Sequence, residues 1–152
     1  MAAFLETLPE SAFDIAFSAY AFQYVEDLGR VFRGTRRALK PGGLFVFSLD
    51  HPLNDITACE NGRVYLSESY FARGRRYWNW DLPGSEERAP FYSFHRTVGD
   101  FLNLLTDAGF LVERLLEPEP TAEGHDPWED PTEIERYAAI PATIIWKARV
   151  PG

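Results

Sequence analysis

Two apolar runs of strand length bracket one amphipathic helical stripe within the first fifty residues, and that arrangement constrains the fold more than any other feature. The first run, Phe13-Asp14-Ile15-Ala16-Phe17-Ser18-Ala19-Tyr20, is rich in β-formers and follows the turn-like Pro9-Glu10-Ser11. It predicts a strand buried on both faces. Leu28, Val31, Phe32, Thr35, Ala38 and Leu39 then recur at helical spacing, with Glu26 and Asp27 at the start and Arg36, Arg37 and Lys40 at the end. That charge order suits the helix dipole. Pro41-Gly42-Gly43 is a stop signal, and Leu44-Phe45-Val46-Phe47-Ser48-Leu49 is a second strand. Strand, helix and strand joined by short turns form a βαβ unit with parallel strands and a right-handed crossover. A parallel sheet needs cover on both faces, so more helices are expected.

One such helix follows Thr97, which with Asp100 resembles a capping box. Val98, Phe101, Leu102, Leu105 and Ala108 then line one face as far as Gly109. Phe110 to Leu116 reads as a third strand, Asp130 and Pro131 as the cap and first residue of a short helix to about Ala139, and Ala142 to Val150 as a fourth strand. Residues 54–93 break the regularity with Tyr65, Tyr70, Tyr77, Trp78, Trp80 and Phe91 among the turn signals Asn61-Gly62 and Pro83-Gly84. A hairpin-bearing insertion, serving as lid or substrate wall within a single domain over residues 1–152, is the expectation.

A formal charge of −8 over 152 residues argues against binding nucleic-acid phosphates, which needs clustered Lys and Arg. Eight acidic residues between Glu117 and Glu135, with no Lys or Arg among them until Arg136, read as a solvated loop or an acidic surface. No apolar run approaches the ~20 residues of a membrane span, and Met1 to Thr7 lack the basic head and apolar stretch of an export signal. Cys59 stands alone, which fits a reducing compartment; the expected location is cytoplasmic. The histidines at 51, 95 and 125 lack metal-ligand spacing, so no metal is assigned.

Phe13-Asp14-Ile15-Ala16-Phe17-Ser18, then Gln23-Tyr24-Val25-Glu26-Asp27, then Arg37-Ala38-Leu39-Lys40-Pro41-Gly42-Gly43-Leu44-Phe45-Val46 together resemble the central region of the class I S-adenosylmethionine-dependent methyltransferases. Residues 97–118, with Ala108-Gly109-Phe110, resemble that family's later helix and strand. The resemblance implies an α/β fold: a partial Rossmann-like sheet, mostly parallel with an antiparallel C-terminal strand, carrying an aromatic β-rich insertion. It implies S-adenosylmethionine as cofactor and a small-molecule methyl acceptor. The family holds the cofactor largely through a glycine-rich turn and an acidic residue ending the next strand; only 12 residues precede Phe13 and they contain neither. The chain therefore reads as the C-terminal half of the domain. In the family's strand order, the missing first strand would lie beside residues 13–20, leaving an open apolar edge. A second chain in a homodimer, a separate N-terminal segment, or a trimmed and barely stable product are the alternatives for that edge.

Open parallel sheets bind ligands at the carboxyl ends of their strands. Ser18, Ala19, Tyr20, Ala21 and Tyr24 are the candidate cofactor residues there, or simply a strand-to-helix connection. His51, beside Asp50, and His95 are candidate bases, or histidines packed at the core edge. Arg96 offers a carboxylate-binding guanidinium. Tyr77, Trp78 and Trp80 with Arg75 and Arg76 make either a cage for a cationic or planar substrate or a self-closing aromatic cluster. The activity implied is methyl transfer to a small molecule; a noncatalytic binding or assembly module using the edge strand is the other reading.

Overall fold

The structure is a computed structural model that describes residues 1–81, 88–121 and 131–152. The side chains of Trp78, Trp80, Asp81, Arg88 and residues 131–133 are also outside the description, as are the turn at Pro83-Gly84, His125 and the cap at Asp130. Helix α1 (Ala2–Leu5) leads to β1 (Phe13–Ala19), a 3-10 turn (Phe22–Tyr24), α2 (Leu28–Ala38) and β2 (Leu39–Asp50). Hairpins β3 (Thr57–Glu60) with β4 (Arg63–Leu66) and β5 (Gly74–Asp81) with β6 (Arg88–His95) follow. Then come α3 (Val98–Asp107), β7 (Leu111–Leu116), α4 (Pro131–Tyr137) and β8 (Thr143–Arg149).

The main sheet has the order β1-β2-β8-β7. β1 and β2 are parallel, and β8 runs antiparallel between β2 and β7, so β1, β2 and β7 share one direction. The βαβ unit forms as the apolar spacing requires. Asp27 accepts from the Arg30 amide to cap α2, whose Leu28, Val31, Phe32, Thr35 and Ala38 are buried. The helix ends at Ala38, and Pro41-Gly42-Gly43 falls within β2 rather than in a separate turn. An irregularity there takes the pairing from Phe13↔Leu39 to Ile15↔Leu44. Gly42 holds φ at +78°, and a Cβ on Gly43 would sit 2.8 Å from the Lys40 carbonyl oxygen, so both glycines are needed for the kink. The capping box at α3 is formed: Thr97 Oγ1 accepts from the Asp100 amide and Asp100 Oδ2 accepts from the Thr97 amide.

Register separates the two faces of the sheet. Phe45, Phe47 and Leu49 pair with Ala148, Trp146 and Ile144 and are buried with Val31, Phe32, Phe101 and Leu105 of α2 and α3. The rings of Phe22, Phe32, Phe45, Phe47 and Phe110 meet at centroid separations of 4.9–5.8 Å, which makes an aromatic core. The opposite face carries Ile15 and Phe17 beside Leu44 and Val46, then Lys147 and Arg149 toward β7. It is apolar at the β1 end. At the β7 end it is charged, where Glu113 accepts from Arg149 and pairs with Lys147 at 2.8 Å, holding its carboxyl at about 2.

One expectation is overturned. β1 is not buried on both faces: it is an edge strand with Ile15 63% and Phe17 73% exposed. Apolar content reports what a strand needs from its neighbours, and nothing among the described residues supplies it on that side. The helices expected on both faces pack, for α2 and α3, on the Phe45 and Phe47 face.

Candidate functional site

The carboxyl ends of β1 and β2 meet at one rim of the sheet, where open α/β sheets bind ligands. Tyr20 ends β1 at φ +47°, an uncommon conformation for a residue with a side chain. It is pinned by its amide donating to the Ser48 carbonyl oxygen and by its hydroxyl 2.6 Å from Thr143 Oγ1. Tyr20, Ala21 and Tyr24 line an open groove of about 510 Å³ with Val25, Asp27 and Met1. Asp27, the carboxylate of that groove, is turned to capping α2 at 2.9 Å. The groove thus presents the two tyrosines among the apolar Met1, Ala2, Ala21 and Val25. Ser18 instead lines an apolar groove along β1, with Phe13, Ile15, Phe17 and Leu5.

Neighbouring residues on a strand point apart, and Asp50 and His51 do so. His51 is buried, with Nδ1 accepting from the Leu53 amide at 3.1 Å and Nε2 2.9 Å from Glu117 Oε1. Burial holds its pKa below the ordinary histidine value, against the opposing pull of Glu117. It is a joint between the ends of β2 and β7. Asp50 faces the rim, its Oδ2 accepting from Gln23 Nε2 at 3.0 Å. Partial burial, and then the Asp55 carboxylate, raise its pKa above the ordinary aspartate value.

The other candidates are placed as follows. His95 is buried, with Nε2 2.9 Å from the Tyr70 carbonyl oxygen and Nδ1 3.2 Å from Asp55 Oδ2, so it stands behind Asp55 and positions it. Arg96 donates to the carbonyl oxygens of Val25, Glu26 and Phe94, stapling the end of β6 to the 3-10 turn. Tyr77 is exposed, its hydroxyl donating to Asn79 Oδ1 and its ring 5.2 Å from Tyr92, over which the Arg75 guanidinium sits at 5.1 Å. The backbones of Trp78 and Trp80 pair with Phe91 and Ala89; their side chains are outside the described residues. Tyr24 and Phe91 rings, 6.2 Å apart, bring the hairpin to the rim.

Between rim and hairpin lies a small cleft of about 20 Å³, walled by the polar Gln23, Asp50, Asp55, Ser93 and Arg96 and by the apolar Leu49, Pro52, Phe94 and Phe101. Gln23 and Ser93 are only 7% and 2% exposed, yet Gln23 Oε1 and Ser93 Oγ have no hydrogen-bond partner among the described residues. Buried polar atoms are nearly always paired, so two orphans lining one cleft mark a place for a ligand group or water. Gln23, Asp55 and Ser93 carry no sequence signal as site residues, because they come from separate segments. Asp50 does carry one: it ends an apolar strand with parity opposite to His51.

The His51 environment has a measurable consequence. Below about pH 6.5 the unfolded chain takes up a proton that folded His51 resists, so its contribution to stability is present above that value and lost as pH falls. The melting temperature of His51→Gln should therefore drop less between pH 8 and pH 5.5 than that of the unaltered protein. Identical drops would contradict the assignment.

A family described as a methyltransferase domain matches residues 2–47. An S-adenosylmethionine-dependent methyltransferase of Mesorhizobium loti superposes with a TM-score of 0.73 at 35% identity, covering 93% of this chain and 63% of that one. A malonyl-[acyl-carrier protein] O-methyltransferase of Coxiella burnetii is 35% identical over 107 residues, 68% of this chain and 30% of that protein. An uncharacterized protein of Haemophilus influenzae is 32% identical over 126 residues, 75% of this chain and 46% of that protein. The chain thus spans less than half of either curated relative and under two thirds of the solved structure.

Proposed function

We propose that this chain, which belongs to the class I S-adenosylmethionine-dependent methyltransferases, forms the methionine and acceptor side of a cleft for methyl transfer to a small molecule. The observation that carries this reading is that the 3-10 turn sets Tyr24 on the open groove and its neighbour Gln23 on the cleft with Asp50 and Ser93, near the carboxyl ends of β1 and β2. S-adenosylmethionine supplies the reactive methyl group, activated by its sulfonium charge. Tyr20 and Tyr24 offer ring faces suited to that cation, with Ala21 beside them in the groove. With Asp27 engaged in capping, the described groove holds no carboxylate turned to a ribose. The ribose and adenine side is completed from across the open β1 edge, by a second copy of the chain or by an N-terminal segment. Within this chain the residues align the acceptor, take its proton and, through the β5 and β6 hairpin, keep water from the rim. The single free cysteine and the acidic surface suit action in the cytoplasm.

Tyr24→Ala should weaken binding of S-adenosylhomocysteine about fivefold or more in calorimetric titration, the loss of one ring face from the cation-adjacent wall, while leaving the melting temperature within a few degrees. Unchanged affinity would remove the groove from the cofactor site. A noncatalytic assembly module is the second reading, favoured by the exposed Ile15 and Phe17; a folded, assembled chain that binds no cofactor would establish it.

A further inference from the structure

We infer that the cleft between Gln23, Asp50 and Ser93 receives the nucleophilic hydroxyl or amine of the methyl acceptor, with Asp50 as its proton acceptor, and that a carboxylate acceptor is turned away. The inference rests on the methyl-transfer reading and adds the acceptor's chemistry to it.

The size of the cleft, about 20 Å³, admits one group the size of a water molecule. Its chemistry is that of an acceptor of hydrogen bonds. Gln23 Oε1 can only accept, the Asp50 carboxylate accepts when ionised, and Ser93 Oγ is uncommitted. A neutral amine, with two N–H donors and a lone pair for the Ser93 hydroxyl, satisfies all three at once, whereas a hydroxyl donates its single proton to Asp50 and accepts from Ser93. Gln23 is fixed for this by its own amide, which donates to Asp50 Oδ2 and so points the unpartnered oxygen elsewhere. Asp55, held by His95, adds a second carboxylate to the wall. The charged groups acting on Asp50 are Asp55, which raises its pKa, and Arg136, which lowers it. Arg96, the cation in the wall, directs three of its five donors to the carbonyl oxygens of Val25, Glu26 and Phe94. A carboxylate such as the malonyl group named for the Coxiella relative would set a third negative charge against Asp50 and Asp55.

The transfer balances with these residues. The bond from the acceptor oxygen or nitrogen to the methyl carbon forms as the carbon–sulfur bond breaks and its electron pair returns to sulfur. The acceptor's proton passes to Asp50 and then to water.

The test uses no cofactor, so its outcome is independent of whether the chain binds S-adenosylmethionine. Ethylene glycol, ethanolamine and malonate are titrated into the protein while the Asp50 side-chain carboxyl carbon is followed by NMR. Ethylene glycol should move that resonance saturably if the acceptor is a hydroxyl, and ethanolamine more strongly if it is an amine; malonate should leave it in place. Asp50→Asn should weaken the bound probe about tenfold or more, as loss of a charge-assisted hydrogen bond does. Ser93→Ala should weaken it about fivefold while the melting temperature stays level or rises, because the hydroxyl it removes has no partner among the described residues. That opposition of affinity and stability is what a merely structural serine would not show. Saturable movement by malonate, or none by either donor probe in protein that melts cooperatively, overturns the inference.

Discussion

Phe47→Ala should cost the protein about 3–5 kcal/mol, the range for deleting a buried phenylalanine. Phe47 is fully buried, with Phe22 at 5.1 Å, Phe32 at 5.4 Å, Phe45 at 4.9 Å and the Trp146 ring stacked at 6.2 Å. None of these can close the gap without leaving the others, since they come from four elements: the 3-10 turn, α2, β2 and β8. At about 2–4 °C per kcal/mol for a chain of this size, the melting temperature should fall by about 10 °C or more. Phe17→Ala is the internal control. On the same sheet but 73% exposed, it should shift melting by only a degree or two in the isolated chain. Thermal unfolding followed by circular dichroism measures both. A Phe17 effect equal to that of Phe47 would mean that β1 is already covered in the protein as purified.

Replacing Ile15 and Phe17 together with lysine should dissociate any assembly formed through β1. Each of these side chains contributes about 1.5–3 kcal/mol on burial, so removing both from an interface weakens association by about two to four orders of magnitude. Lysine on an edge strand is also a device by which proteins block edge-to-edge pairing. Light scattering should therefore report a mass above 17.4 kDa for the unaltered protein and a monomer for the double variant, whose melting temperature falls by the contribution of the lost interface. A monomeric unaltered protein would remove the homodimer and leave an N-terminal segment as the cover.

The legibility of this sequence divides along physical lines. The apolar stripe of α2, the Thr97 cap of α3 and the Asn61-Gly62 turn of the β3 and β4 hairpin are local signals, and each element formed where it was expected. β1 was legible as a strand from its composition and as an open edge from the family resemblance; its apolar run alone read as burial on both faces, because periodicity within a strand carries nothing about what lies beside it. The same holds for Pro41-Gly42-Gly43, whose turn chemistry was absorbed into an irregular stretch of β2 by pairing with Phe13 and Ile15. At the rim, the sequence drew attention to His51 and His95 as titratable residues. The fold buries both, His51 against Glu117 and His95 against Asp55, and presents Asp50 instead. The polar cleft draws on residues 23, 50, 55 and 93, which no local pattern links.

The most direct measurement is a calorimetric titration of S-adenosylhomocysteine into the protein, with its assembly state fixed beforehand by light scattering. Saturable heat approaching one ligand per chain, reduced by Tyr24→Ala and lost when Ile15 and Phe17 are both lysine, is the result expected if the rim of β1 and β2 is one side of a cofactor site completed across the β1 edge. No heat from a folded protein whose β1 edge is covered would contradict it.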